Sequence, residues 1–200
     1  MTAARPGRLL VATTNGGKLR EILAILGDLP LTLVTLADYP TLPEPEETGA
    51  TFAENARIKA LAYASATGEL TVAEDSGLEI DALNGEPGVR SARFNGESYA
   101  EKFATIARML AERGADSSTA RFVCALALTR PDGLVWEATG IVEGRLQLPA
   151  RGHAGFGYDP IFYYPAYGRT LADVTEAEKA AVSHRGQAFR RLRTYMATAV

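Results

Sequence analysis

Five short segments of this chain place chemically useful side chains at informative spacings. The first is Thr13-Thr14-Asn15-Gly16-Gly17-Lys18, between the apolar run Leu9 to Val11 and a helical pattern. A strand turning through glycines into a helix leaves backbone N–H groups pointing outward. With the helix dipole these bind phosphate, and Lys18 adds a full positive charge. The GxxxxGK[ST] spacing of a Walker A loop is missing, and the same residues serve plain turn chemistry equally well. The second segment holds Glu44, Glu46 and Glu47. Glu44 and Glu46 read as a solvated acidic loop. Glu47 differs, because Gly49 and a capped helix follow at once and fix where its carboxylate points. A Mg²⁺ ion bridging phosphates takes only one or two protein carboxylates and keeps its waters.

The third segment is Glu74-Asp75-Ser76-Gly77, at the end of an apolar strand. Carboxylates at the C-terminal edge of a strand lie where open α/β sheets bind ligands. Alternation turns Glu74 and Asp75 to opposite faces, and a turn-forming role for Asp75 or Ser76 is the plain alternative. The fourth runs from Gly152 to Pro160 and contains Phe156, Gly157, Tyr158 and Asp159. Its glycines admit a ligand close to the backbone, and Phe156 or Tyr158 offers a ring for stacking on a base. A loop with both aromatics tucked into the core fits the composition equally well. The fifth is Lys179 with Ser183-His184-Arg185-Gly186, a cationic group suited to an anion or a carbonyl-bearing ring. Compensation of a helix dipole is the duller account of Lys179.

The elements that must position these groups are legible in outline. Arg8 to Thr13 reads as a first strand, and Leu19, Ile22, Leu23 and Leu26 recur at helical spacing before Gly27. Leu31 to Leu36 reads as a second strand, and the Pro- and Glu-rich stretch from Tyr39 to Gly49 as a loop. Capping boxes at Thr51-Phe52-Ala53-Glu54, Ser98-Tyr99-Ala100-Glu101 and Thr175-Glu176-Ala177-Glu178 open three helices. Leu70 to Ala73 reads as a strand ending at the acids, with Leu78 to Leu83 as a separate extended piece. Arg121 to Thr129 and Leu134 to Glu143 form a hairpin across Pro131-Asp132-Gly133. Ile161 to Tyr164 follows the glycine-rich loop, and a last helix runs from about His184. Interleaved helices and strands with a central hairpin predict a mixed α/β sheet.

At 200 residues, without repeats or a shift of composition, the chain reads as a single domain, 1–200, with residues 1–7 expected to fray. A net charge of −3 argues against a nucleic-acid-coating surface but not against a small anionic ligand. The single cysteine, Cys124, lies in an apolar run and reads as a core residue rather than a nucleophile. The polar N-terminus lacks a signal-peptide core, and no apolar stretch approaches the ~20 residues that span a bilayer. A soluble, cytoplasmic protein with no nucleic-acid or membrane partner is expected.

Taken together, Ala12 to Glu21 (ATTNGGKLRE), Glu46 to Asn55 (EETGATFAEN), Ala73 to Leu78 (AEDSGL), Gly88 to Arg93 (GVRSAR), Gly155 to Phe162 (GFGYDPIF) and Ser183 to Ala188 (SHRGQA) resemble the noncanonical purine nucleoside-triphosphate pyrophosphatases, the inosine/xanthosine triphosphatase family. The resemblance runs in order over nearly the whole chain. It implies an elongated mixed β-sheet flanked by helices, in two lobes around a central nucleotide cleft, and a homodimer. It implies hydrolysis of ITP, dITP or XTP to the monophosphate and pyrophosphate, with Mg²⁺, which cleanses the nucleotide pool. Carried over by residue, Thr13, Thr14, Asn15, Gly16, Gly17 and Lys18 would hold the triphosphate, with Asn15 and Lys18 in direct contact. Glu47 and Asp75 would hold the metal, and Asp75 would take the proton of the attacking water. Lys59, Ser76 and Lys179 would contact phosphate or sugar. Phe156, Gly157, Tyr158 and Asp159 would embrace the base, and His184 and Arg185 would reach its 6-keto edge. Departures are small: Thr14 stands where glycine is common, and Tyr158 where the aromatic varies. The rivals are a pyrophosphatase for modified pyrimidine or canonical nucleotides, and a nucleotide sensor that has lost hydrolysis.

Overall fold

A computed structural model of the chain describes residues 7–199. Residues 1–6 of the stretch expected to fray lie outside the described residues, whereas the Gly7 carbonyl accepts a hydrogen bond from Thr32 N–H at 2.9 Å. The elements are β1 (Arg8–Val11), α1 (Gly16–Leu26), β2 (Thr32–Thr35), α2 (Phe52–Thr67), β3 (Leu70–Ile80), α3 (Tyr99–Glu112), β4 (Thr119–Arg130), β5 (Gly133–Leu146), β6 (Phe162–Tyr164), β7 (Arg169–Thr170), α4 (Glu176–Val182) and α5 (His184–Ala199). The strands form one mixed sheet in the order β2-β1-β3-β4-β5-β6-β7. β1 runs parallel to both neighbours, with Leu9 opposite Leu33 and Leu70. β6 is antiparallel to β5 and β7, with Tyr163 opposite Arg145 and Thr170. The α/β class expected from the sequence is the one observed.

The described residues divide into two compact units: 7–75, 124–140 and 185–199 form the first, and 76–123 and 141–184 the second. In the first unit the strands are apolar on both faces because helices cover both. Leu9, Val11, Val72, Cys124 and Leu126 pack with Ile22 and Leu26 of α1 and with Ala188, Phe189 and Leu192 of α5. The alternate residues Leu10, Ala12, Ala73 and Ala127 pack with Ala56, Ala60 and Tyr63 of α2. In the second unit Leu78, Ile80, Ile106, Leu110, Phe122, Ile161, Phe162 and Leu171 form the core. No helix among the described residues is long and apolar enough to cross a membrane.

All three capping boxes are present, at Thr51, Ser98 and Thr175. Three expectations change. The first helix, which the spacing predicts from about Lys18, begins at Gly16 and is capped by Asn15. The short β7 was not anticipated. Most consequentially, β3 does not end at the acids but runs unbroken from Leu70 to Ile80. Gly77, which looks like a breaker, is a point of close approach: a Cβ there would stand 2.6 Å from the Gly88 carbonyl. Both acids are therefore interior strand residues, and their charges are met from the sides.

Candidate active site

α2 reaches β3 through small side chains. Ala56, Ala60 and Ala64 recur every fourth residue and are fully buried, which lets the helix lie close to the strand. The adjacent row, Asn55 and Lys59, is thereby brought to Asp75. Lys59 Nζ lies 2.5 Å from Glu47 Oε1 and 3.3 Å from Asp75 Oδ1. Asn55 Nδ2 donates to Asp75 Oδ2 at 3.2 Å. Burial raises the Asp75 pKa above its ordinary value, and Glu47 and Glu74 add to the rise. Lys59 and the Asn55 hydrogen bond oppose it without cancelling it. Burial alone would lower the Lys59 pKa, but Asp75, Glu47 and Glu74 together raise it. Glu44 and Glu46 are exposed, as their solvated reading requires.

Two hard carboxylates thus face one cationic point, marked by the Lys59 ammonium. Two such oxygens fit a Mg²⁺ ion that completes its shell with water and phosphate oxygens. No group of three or more His, Cys, Asp or Glu suited to a metal occurs among the described residues, so the site lacks the all-protein cage of a Ca²⁺ or Zn²⁺ centre.

Glu74 faces the other helices. Its Oε1 lies 2.9 Å from Lys18 Nζ and 3.3 Å from Arg185 Nη2, and its Oε2 accepts from Cys124 Sγ at 3.5 Å. Burial opposes its charge, but Arg185 and Lys18 outweigh burial and hold the carboxyl well below the usual range. Burial, with Glu74 beside it, pushes the Cys124 thiol well above its ordinary value, so Cys124 is a core thiol and no nucleophile. Arg185 is only 2% exposed, and its Nη1 donates to Glu21 Oε2 at 2.8 Å. Its place follows from α5: residues 185, 188, 189, 192 and 196 form one buried stripe, with Arg185 at its N-terminal end.

At the α1 junction Thr13 and Gly17 are half-buried, and Thr14, Asn15 and Gly16 are exposed. Asn15 Oδ1 accepts from Lys18 N–H at 3.0 Å, and Asn15 N–H donates to Thr13 Oγ1 at 3.2 Å. The carbonyl end of Asn15 is thus engaged in capping, and the Gly16 and Gly17 N–H groups are left without intrahelical acceptors. That is an anion-binding arrangement, with the Lys18 side chain directed to Glu74.

The base-side candidates lie in the second unit. Asp159 is buried, and its Oδ2 accepts from Phe156 N–H at 2.8 Å and from Lys179 Nζ at 2.6 Å. The Lys179 ammonium sits 4.3 Å from the centre of the Phe156 ring. Gly155 has φ +71°, and a side chain there would run into the Asp159 carboxylate. Tyr158 takes the core alternative that its composition left open. It is buried, its hydroxyl donates to the Ser91 carbonyl at 2.8 Å, and its ring meets Tyr99 edge-on at 5.3 Å. The half-buried Phe156 is then the better stacking surface. A Cβ at Gly157 would stand 3.5 Å from the Tyr99 hydroxyl, Ser76 is half-buried in β3, and the buried His184 stacks on Phe122 at 4.9 Å.

The model of the Ham1 family matches residues 9–195. The chain belongs to the Ham1 family. Among relatives of this Ham1-family chain, a dITP/XTP pyrophosphatase from Exiguobacterium sibiricum is 48% identical over 193 residues, covering 96% of this chain and 98% of that one. A dITP/XTP pyrophosphatase from Geobacter sulfurreducens is 46% identical, covering 94% of this chain and 96% of its own. Among solved structures, a HAM1 protein from Coxiella burnetii superimposes with a TM-score of 0.90 at 38% identity, covering 96% of this chain and 99% of that one.

Within this Ham1-family chain the sequence reading missed Asn55, Glu21 and the pairing role of Glu74. Asn55 stands four residues before Lys59 on one helix face, a spacing that points both at a single neighbour. Glu21 stands three residues after Lys18, which places it on the side of α1 that meets Arg185.

Proposed function

We propose that this chain hydrolyses ITP, dITP and XTP to the nucleoside monophosphate and pyrophosphate, in a reaction that depends on Mg²⁺. The observation that carries the reaction class is the convergence of Glu47 and Asp75 on one cationic point, at Lys59 Nζ. The names of the Exiguobacterium and Geobacter relatives support the substrate class.

The products define the bond that breaks. Water oxygen joins the α-phosphorus, the bond from that phosphorus to the α–β bridging oxygen breaks, and pyrophosphate leaves with the bond's electron pair. Asp75 accepts the proton that the water loses, a role favoured by burial, which strengthens a carboxylate as a base. Mg²⁺, held by Glu47 and Asp75, would neutralise phosphate charge as it develops. Lys59 holds those two carboxylates together and lies within reach of a phosphate brought to them. The Gly16 and Gly17 N–H groups and Lys18 bind the triphosphate, with Thr13, Thr14 and Asn15 shaping the turn and Ser76 adding a hydroxyl. Phe156 stacks on the base, and Gly157, Tyr158, Asp159 and Lys179 fix that ring. His184 and Arg185 read the 6-keto edge, where an amino group would leave a donor unpaired. Arg185 then has two duties, since it also neutralises Glu74.

A homodimer, as the sequence resemblance implies, working in the cytoplasm is part of this reading, with the nucleotide pool as its substrate source. Pyrophosphate release from ITP, ATP, GTP and dUTP, with Mg²⁺ and with EDTA, tests it. Release from ITP that stops in EDTA is expected. A preference for dUTP, or tight ITP binding without pyrophosphate release, would overturn it.

A further inference from the structure

Asn55 is 2% exposed, and its amide is engaged at both ends. Its Oδ1 accepts from Gly49 N–H at 2.8 Å, and its Nδ2 donates to Asp75 Oδ2 at 3.2 Å. This polarity is not interchangeable. A backbone N–H can only donate, so the amide oxygen must face Gly49 and the NH₂ must face Asp75. The other oxygen of Asp75 is the one that meets Lys59. The loop side is equally determined. Gly49 follows Glu47 by two residues, and the next two N–H groups, Ala50 and Thr51, donate to Glu54 Oε2 at 2.7 and 3.1 Å. A Cβ at Gly49 would stand 2.7 Å from Asn55 Oδ1, so glycine is what lets the loop close on the amide. One neutral side chain thus joins the loop that carries Glu47 to the strand that carries Asp75.

We propose that Asn55 is a positioning residue for the hydrolysis, orienting the Asp75 carboxylate and anchoring the Glu47 loop so that both face one cation. This rests on the reading of Glu47 and Asp75 as the carboxylates that hold the metal. Loss of the amide leaves the Gly49 N–H and Asp75 Oδ2 unpaired and lets the two carboxylates drift apart. Partners that orient metal-holding carboxylates typically account for about 10–100-fold in affinity or activity.

The test titrates the nucleotide-free protein with Mn²⁺, followed by the EPR signal of free Mn²⁺, and measures kcat and KM on ITP. Asn55→Ala and Asn55→Ser are compared with the unmodified protein, with Glu47→Gln and Asp75→Asn as controls. Circular dichroism selects the variants that fold, and the smaller change to serine provides a second route if alanine does not. About tenfold or greater loss of both Mn²⁺ affinity and kcat is expected, with KM within about threefold. A role in folding alone would lower the melting temperature and leave the Mn²⁺ affinity of the folded protein unchanged. Full Mn²⁺ affinity and kcat in a folded Asn55 variant, while both controls lose Mn²⁺, would overturn the positioning role. Unchanged Mn²⁺ binding in both controls would overturn the metal reading beneath it.

Discussion

Asp75 lies on the face of β3 that meets α2, where burial raises its hold on a proton and Lys59 offsets only part of that rise. Asp75→Asn keeps nearly the same shape and removes the base, so turnover should fall by at least ~100-fold while nucleotide binding persists. Parallel measurement of kcat and of ITP affinity by calorimetry checks this, and full activity would contradict the assignment. Glu74, one residue earlier, faces the opposite way and is tied to Lys18 and Arg185. Arg185→Ala leaves the buried Glu74 with one fewer cation and should destabilise the fold by about 3–5 kcal/mol, as breaking a buried pair does. It should also narrow the preference for ITP over ATP. Urea unfolding reads the first effect and paired kcat/KM values the second; unchanged unfolding would show that Glu74 does not depend on Arg185. At this scale the residue types and their blocks were legible in the sequence. The partners were not, because Arg185 meets Glu74 at a sequence separation of 111.

Helix caps were read correctly because their chemistry is local: a hydroxyl and a carboxylate three residues apart satisfy each other's backbone N–H groups. The same pairs give a pH dependence. Hydrogen bonds from the Ser98 and Thr175 backbone lower the pKa values of Glu101 and Glu178. In the unfolded chain these groups return to about 4.3, so between the two values the unfolded state binds more protons and stability rises with pH. The contribution is present above the unfolded value and is lost as pH falls through the folded one. Glu178→Gln should therefore flatten the acid side of the stability profile, read as the urea midpoint from about pH 6 to about pH 3. A variant profile parallel to that of the unmodified protein would refute this. β3 was misread for a related reason. Two acids and a glycine look like a strand end unless something distant neutralises the acids and something close needs the glycine.

Each unit of the whole molecule has its own core. Phe162 is fully buried in the second, with its ring 4.5 Å from Phe122, so Phe162→Ala should cost about 3–5 kcal/mol in urea unfolding. The activity assigned to the whole chain makes a separate prediction. The kcat/KM for ITP, dITP and XTP should exceed that for ATP, dUTP and dTTP by about 100-fold or more, because a site built to pair with a 6-keto group loses hydrogen bonds with the others. A pyrimidine preference would refute it.

Residue type and local spacing determined the α/β class, the capping boxes, the glycine turn into α1 and the set of acids and cations, since all of these depend on neighbours within about one helical turn. Alternation along β3 also showed that Glu74 and Asp75 face opposite ways. Only the tertiary structure decided which helix covers each face, and hence that Asp75 meets Lys59 and Asn55 whereas Glu74 meets Lys18 and Arg185. Packing decides it: the small alanines of α2 and the buried stripe of α5 set which charged side chains are carried to the strand, and no spacing within the strand contains that information.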